Sequence, residues 1–173
     1  MAIRNILKEG DETLKKRCRP VTEFNARLHE LLDDMAETMM QANGVGLAAC
    51  QVGVLRRVVV VLETNTPEGE EYVIELINPE IIEADGEQVD PEGCLSFPGQ
   101  FGLVKRPDRV VVRAVDRNGE YFEIEGVGLT ARAFCHEIDH LDGHVFKELC
   151  DHIMSDEELD DWYAQDREQE ETE

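Results

Sequence analysis

The residues best suited to chemistry lie near the end of the chain, where residues 136–140 have the pattern H-E-x-x-H. Four residues advance an α-helix by about 6 Å with about 40° of rotation, so a helix here presents both imidazoles on one face. Two such imidazoles can bind one metal ion. Glu137 lies about 100° around the helix from His136, a position that suits a general base acting on water at that ion. The pattern therefore predicts a metal site with its own proton acceptor.

A catalytic metal site usually has three protein ligands and one open position, so a third ligand must come from elsewhere. Cys94 is the best candidate, because it follows a glycine in residues 91–99, a loop or short extended stretch where the backbone can approach a ligand closely. The competing candidates are acids well after the second histidine, Glu157 or Glu158, as in one large class of zinc proteases. These acids lie in a polar tail, and that position favours Cys94.

Residues 44–51, Gly-Val-Gly-Leu-Ala-Ala-Cys-Gln, form a segment of small side chains. Two glycines and two alanines allow a ligand or another backbone to come close, and Gln51 supplies a neutral amide donor. A phosphate-binding loop is disfavoured, because no Lys-Ser or Lys-Thr pair follows. Taken alone, the segment favours tight packing of a loop.

Hydrophobic periodicity predicts the elements that must position these residues. Apolar residues three and four apart predict an amphipathic helix that is capped by Asn25 or Thr22 and closed by Gly44, and a second helix over residues 130–142. Alternating or β-branched runs predict four strands, with a hairpin turn between the last two: 58–62, 72–77, 109–116 and 120–125. Antiparallel strands with a helix packed inside them indicate an α+β fold.

The length of 173 residues predicts one catalytic domain, residues 1–150, followed by an acidic segment, residues 151–173. This segment contains eleven acidic residues and one arginine, a net charge of −10. Ser155 with Glu158 predicts the capping box of a short helix. We expect that helix to fray near Gln165, because only polar and charged residues remain beyond it.

The whole chain has 17 basic and 39 acidic residues, a formal net charge of −22. Such a field repels phosphate backbones and anionic lipids, so we expect no direct nucleic-acid partner and no membrane partner. There is no long apolar segment and no export signal, and the five cysteines are an odd number. These features favour the cytoplasm over an oxidising compartment.

Three motifs occur in the order Gly-Val-Gly-Leu-Ala-Ala-Cys-Gln, Glu-Gly-Cys-Leu-Ser and His-Glu-Ile-Asp-His-Leu. In this combination the chain resembles the peptide deformylases, which remove the formyl group from the N-terminal methionine of nascent bacterial chains. The resemblance covers roughly residues 1–150. It implies partly open antiparallel β-sheets around a central H-E-x-x-H helix, with an N-terminal amphipathic helix and a short C-terminal helix.

The resemblance also implies a role for each matching residue. The metal ligands would be Cys94, His136 and His140. Glu137 would handle the proton, while the Gln51 amide and the backbone N–H of Leu95 would hold the formyl oxygen. Gly46 would pair with the substrate backbone. The walls of the methionine pocket would be Val45, Leu129 and Ala133.

The implied cofactor is one divalent metal ion, with Fe²⁺ expected in the cell and Zn²⁺, Ni²⁺ or Co²⁺ as possible occupants of preparations. The implied partners are N-formylmethionyl peptides and nascent chains. The chain departs from the family where Cys135 replaces the usual glutamine before His136, which puts the hydrogen bonding around the ligands in question. The acidic tail is a second departure, and it makes ribosome docking through a C-terminal helix implausible.

Two other classes of protein remain open. A zinc endopeptidase would use H-E-x-x-H with a downstream acid and would cleave internal amides of unblocked peptides. A non-catalytic metal-binding module would close the coordination sphere with a fourth protein ligand, Cys135 or His144. Formate release from formyl-methionyl peptides distinguishes all three.

Overall fold

The polypeptide forms a five-stranded sheet and a two-stranded sheet around one buried helix. The structure, a computed structural model, describes residues 2–172. Met1 and Glu173, the outer ends of the two predicted units, lie outside the described residues. The strands are β1 (Gly46–Ala48), β2 (Val58–Glu63), β3 (Tyr72–Asp85), β4 (Gln88–Cys94), β5 (Phe97–Arg106), β6 (Arg109–Val115) and β7 (Tyr121–Val127). The α-helices are α1 (Ala26–Gln41), α2 (Leu129–Leu141) and α3 (Asp156–Thr172).

Strand order in the larger sheet is β1-β2-β3-β6-β7, and each neighbouring pair is antiparallel. The four consecutive valines of β2 are all buried because both faces of the sheet are covered. Val58 and Val60 pack in one cluster with the apolar face of α1, whereas Val59 and Val61 pack in another with α2. The alternating directions of strand side chains thus place the two helices on opposite faces of the sheet.

Helix α2 is buried along most of its length, including both histidines and the glutamate of H-E-x-x-H. Phe134, Ile138 and Leu141 pack in the core cluster that includes β2. The two motif histidines therefore lie on a rigid element in the protein interior, where a buried imidazole requires a partner.

The smaller sheet consists of β4 and β5, which pair from Gln88 opposite Arg106 to Cys94 opposite Phe97. The sequence reasoning placed residues 91–99 in a loop or short extended stretch. The structure instead continues both strands through this region. Cys94 ends β4, and a two-residue turn leads into β5.

The antiparallel α+β fold around a central H-E-x-x-H helix is as predicted. Strand β3 is longer than the predicted 72–77, because β6 continues to pair with it as far as Asp85 through two irregularities in register. No helix among residues 2–172 has the length and the apolar composition that crossing a membrane would require.

The expectation that the last helix frays near Gln165 is wrong, since α3 extends to Thr172. The predicted capping box is present: Ser155 Oγ accepts from the Glu158 backbone N–H at 3.1 Å, and Glu158 accepts from the Ser155 N–H at 3.2 Å. Three acidic residues in the first turn also lie at the positive end of the helix dipole. These contributions favour the helix despite its polar sequence.

Candidate metal centre

Three ligand atoms from two distant segments converge at the inner end of a cavity. The Sγ of Cys94 lies 3.3 Å from Nε2 of His140, and the two histidine Nε2 atoms lie 3.2 Å apart. Tetrahedral sites with bonds of about 2.0–2.3 Å place neighbouring ligand atoms roughly 3.3–3.6 Å apart, so the spacing fits one shared divalent ion. Within residues 2–172, no other group of histidine, cysteine and acidic side chains meets this geometry.

The positions of α2 and β4 explain why the three ligand atoms meet. His136 and His140 are one turn apart on α2 and are both buried, and β4 brings Cys94 against them from the smaller sheet. Cys94 is only partly buried, so the site opens on one side. Two of the three protein ligand atoms thus come from one rigid helix.

The competing ligand candidates lie elsewhere. Glu157 and Glu158 are exposed on α3, where Glu158 contacts the ring of His152 at 2.9 Å. His144 is exposed and contacts Glu148 at 3.1 Å. Cys135 belongs to α2 and packs in the core cluster, where burial raises the pKa of its thiol to about 11. None of them joins the three converging atoms.

Glu137 lies beside the ligand atoms without being one of them. Its Oε1 is 3.8 Å from Nε2 of His136 and 3.9 Å from Nε2 of His140. Burial raises the pKa of this carboxyl to about 7, which suits a group that takes up and releases a proton near neutral pH. A Cβ on Gly46 would lie 2.8 Å from Oε2 of Glu137, so only glycine leaves the carboxylate its present space.

The carboxylate of Glu92 orients one of the histidines, a role that the sequence reasoning missed. It accepts hydrogen bonds from Nδ1 of His136 at 2.5 Å, from Arg132 at 2.6 Å and from Arg106 at 2.6 and 3.1 Å. Burial alone would raise its pKa, but the hydrogen bonds from His136 and Arg106 lower it to about 2. An ionised Glu92 keeps Nδ1 of His136 as a donor and turns Nε2 towards Cys94.

A signal for Glu92 was present in the sequence. Glu92 begins the motif Glu-Gly-Cys-Leu-Ser and lies only two residues before Cys94. The two arginines that hold Glu92 carried no comparable signal. Arg106 also donates to Asp139 at 2.7 Å, and Arg132 donates to the Val104 carbonyl at 2.9 Å.

The amide of Gln51 also approaches the converging ligand atoms. Gln51 lies in a short 3₁₀ helix, Ala49–Val52, directly after β1. Its Oε1 accepts from the Ala48 N–H at 2.9 Å, and this bond directs Nε2 towards Ser96 Oγ at 3.1 Å and Cys94 Sγ at 3.5 Å. A neutral donor therefore faces the converging ligand atoms.

A cavity of about 420 Å³ opens next to these groups. Its wall includes every residue that the sequence reasoning assigned to substrate: Val45, Gly46, Gln51, Leu95, Leu129 and Ala133. Leu129 and Ala133 are one turn apart on α2, on the side that also bears Glu137. The cavity combines an apolar wall with an acid, an amide and two of the three metal-binding side chains, Cys94 and His136.

The polypeptide deformylase family matches residues 3–156. The chain belongs to this family. Peptide deformylases of Caldanaerobacter subterraneus and Acetivibrio thermocellus are each 54% identical to it over 160 residues, which cover 92% of this chain and 97% and 91% of theirs. The solved peptide deformylase of Thermotoga maritima is 40% identical with a TM-score of 0.80, covering 87% of this chain and 99% of its own.

Deformylases are hydrolases, and membership confirms the predicted enzyme class and reaction, removal of the formyl group from nascent polypeptides. The family is metal-dependent, and the cysteine and two histidines offer such a site. A class I type b peptide deformylase of Acinetobacter baumannii, 36% identical with a TM-score of 0.78, has been solved with Met-Ala-Ser bound; the match covers 85% of this chain and 98% of that one.

Proposed function

We propose that Cys94, His136 and His140 hold the catalytic ion of this deformylase and that the ion in the cell is Fe²⁺. The convergence of their three ligand atoms carries the proposal. When bound, such an ion would supply positive charge that lowers the pKa of a nearby water towards about 7. One thiolate and two imidazoles also suit Zn²⁺, Ni²⁺ and Co²⁺, which are the expected occupants of some preparations.

Glu137 accepts the proton of the attacking water and passes it to the nitrogen that leaves the formyl group. Its carboxylate lies just under 4 Å from both histidine Nε2 atoms, close to any water that shares their ligand sphere. A pKa raised to about 7 by burial favours both halves of this transfer.

Gln51 and the backbone N–H of Leu95 donate to the formyl oxygen as negative charge develops on it. The position of Gln51 Nε2, 3.5 Å from Cys94 Sγ, supports this role, and its Oε1 is already held by Ala48. Donors of this kind are typically worth roughly 3 kcal/mol each in the transition state.

The substrate is an N-formylmethionyl peptide or nascent chain. β1 is at the edge of its sheet, so Gly46 can pair with an extended substrate backbone. The apolar wall of Val45, Leu129 and Ala133 then receives the methionine side chain. The peptide Met-Ala-Ser held by the Acinetobacter relative is consistent with this chemistry.

We further propose a cytoplasmic enzyme with a catalytic unit of residues 1–150 and an acidic appendage of residues 151–173. All five cysteines are free thiols, which is compatible with a reducing compartment. The acidity of α3 disfavours docking on ribosomal RNA through this helix.

The test is formate release from formyl-Met-Ala-Ser, with unformylated Met-Ala-Ser and an internal-amide peptide as controls. We expect formate from the formylated peptide alone. The variant Glu137→Ala should keep its metal but lose about 10³-fold in turnover, whereas Glu148→Ala, an exposed acid on the surface, should match the wild type. Full activity of Glu137→Ala would remove the proton-transfer role, and cleavage of internal amides would favour an endopeptidase.

A further inference from the structure

Three consecutive residues near the N-terminus hold the two segments that supply the formyl-oxygen donors. The Leu7 N–H donates to the Gln51 carbonyl at 2.7 Å, and the Glu9 N–H donates to the Ser96 carbonyl at 2.8 Å. Between them, Nζ of Lys8 lies 3.4 Å from the Leu95 carbonyl. Gln51 lies in the 3₁₀ helix between β1 and β2 of the larger sheet, while Leu95 lies in the turn between β4 and β5 of the smaller sheet. Residues 7–9 therefore connect the two sheets where the donors lie.

The side chain of Glu9 extends this connection to the surroundings of the turn. One carboxylate oxygen accepts from Lys147 at 2.8 Å and the other from Gln100 at 2.7 Å. Gln100 belongs to β5, and Lys147 belongs to a 3₁₀ helix, Phe146–Leu149, and lies 5.7 Å from the ring centre of Phe97. These hydrogen bonds lower the pKa of Glu9, so the carboxylate is ionised at neutral pH.

We infer that residues 7–9 form a strap that fixes the spacing between the two formyl-oxygen donors, and that Glu9 is a positioning residue for deformylation. The inference rests on the proposed roles of Gln51 and Leu95. The direct hydrogen bond between their segments, Gln51 Nε2 to Ser96 Oγ, uses the donor that must turn to the substrate. The backbone hydrogen bonds of the strap use neither formyl-oxygen donor, so they leave both donors available to the substrate.

The expected effect is on turnover rather than on folding. The side chains of Glu9 and Lys147 are 47% and 30% exposed, and ion pairs of this exposure contribute little to stability. Oxyanion donors act only when they are placed accurately, and an error of about 1 Å can reduce a rate by about 100-fold. Glu9→Ala removes only the side-chain contacts of the strap and leaves its backbone hydrogen bonds, so it should lower kcat by about 10-fold.

The experiment compares kcat and KM of the metal-loaded enzyme on formyl-Met-Ala-Ser with the Kd of the product Met-Ala-Ser. Glu9→Ala should lower kcat while KM and product Kd stay within about twofold, because product binding does not use the formyl-oxygen donors. Glu9→Gln keeps one acceptor for Lys147, and its Nε2 can donate to Gln100 once the Gln100 amide turns over, so this variant should retain most of kcat. Glu12→Ala is the matched control, since Glu12 is exposed and its side chain has no hydrogen bond or ion pair within residues 2–172.

A double-mutant cycle and hydrogen exchange separate positioning from a general structural role. In a Gln51→Ala background, Glu9→Ala should cost clearly less than it does alone, and Glu9→Ala should accelerate exchange of the Leu7 and Glu9 amides, whose hydrogen bonds form the strap. Wild-type kcat in Glu9→Ala beside an impaired Gln51→Ala would overturn the strap and leave the proposed function intact. Loss of product affinity in parallel with kcat would also overturn it. Full activity of Gln51→Ala would instead refute the donor role itself.

Discussion

Replacing Glu92 with glutamine should destabilise the metal-free protein and weaken its metal site together. Glu92 is almost fully buried and accepts from two arginines and from Nδ1 of His136. Glutamine has the same shape but lacks the charge that these cationic groups require. The variant leaves two buried guanidinium groups without their shared carboxylate, a change that is typically costly.

The magnitude follows from the pKa of Glu92. Its fall from the ordinary 4.5 to about 2 corresponds to about 3 kcal/mol of folding free energy at neutral pH. Because the pKa is lowered in the folded state, this contribution is complete above about pH 5 and is lost as the pH falls towards about 2. The difference between wild type and Glu92→Gln should therefore be about 3 kcal/mol at pH 7 and about half of that at pH 3.

The assay is urea denaturation of chelator-treated proteins at pH 7 and pH 3. Glu125→Gln is the control, because Glu125 makes an exposed ion pair with Arg109 at 2.8 Å and should change stability by less than about 1 kcal/mol. Metal titration at pH 7 should show an affinity that is about 10–100-fold weaker in Glu92→Gln. Equal stabilities of wild type and Glu92→Gln at pH 7, or a difference that is the same at both pH values, would refute the reasoning.

Two further predictions concern the site. Gly46→Ala places a Cβ 2.8 Å from Oε2 of Glu137, so it should displace that carboxylate. We expect kcat to fall by about 10-fold or more while elemental analysis still shows bound metal. A variant with wild-type kcat would show that Glu137 tolerates the shift. Iron-loaded enzyme should keep its activity longer under argon than in air, since a thiolate beside Fe²⁺ is open to oxidation, while the zinc-loaded form should not differ between the two. Equal lifetimes of the iron form would count against iron.

Local patterns in the sequence were sufficient where neighbouring residues decide the structure. The 3.6-residue period of α2 places His136, Glu137 and His140 correctly with respect to one another, because that geometry is internal to one helix. Asn25 caps α1 for the same kind of reason: its side chain accepts from the Leu28 N–H only three residues away. The α+β class followed from such elements together.

Contacts between distant segments were beyond the reach of these patterns. The meeting of Cys94 with α2 depends on strands β4 and β5, whose prolines and glycines conceal their pairing. The Glu92 cluster joins Arg106 and Arg132 over 14 and 40 residues of sequence. The family motifs supplied Cys94 as a ligand, but they gave no account of what holds His136 in place. The extent of α3 was missed because apolar periodicity ends well before its last turn.

The claim that Cys94 completes the metal site is tested most directly by elemental analysis of wild type and Cys94→Ala after dialysis, with formate release measured on the same samples. The account predicts one divalent ion per chain and formate production in the wild type, and the loss of both in Cys94→Ala. A Cys94→Ala protein that keeps its full metal content would contradict the account, because the two histidines would then hold the ion without the thiolate.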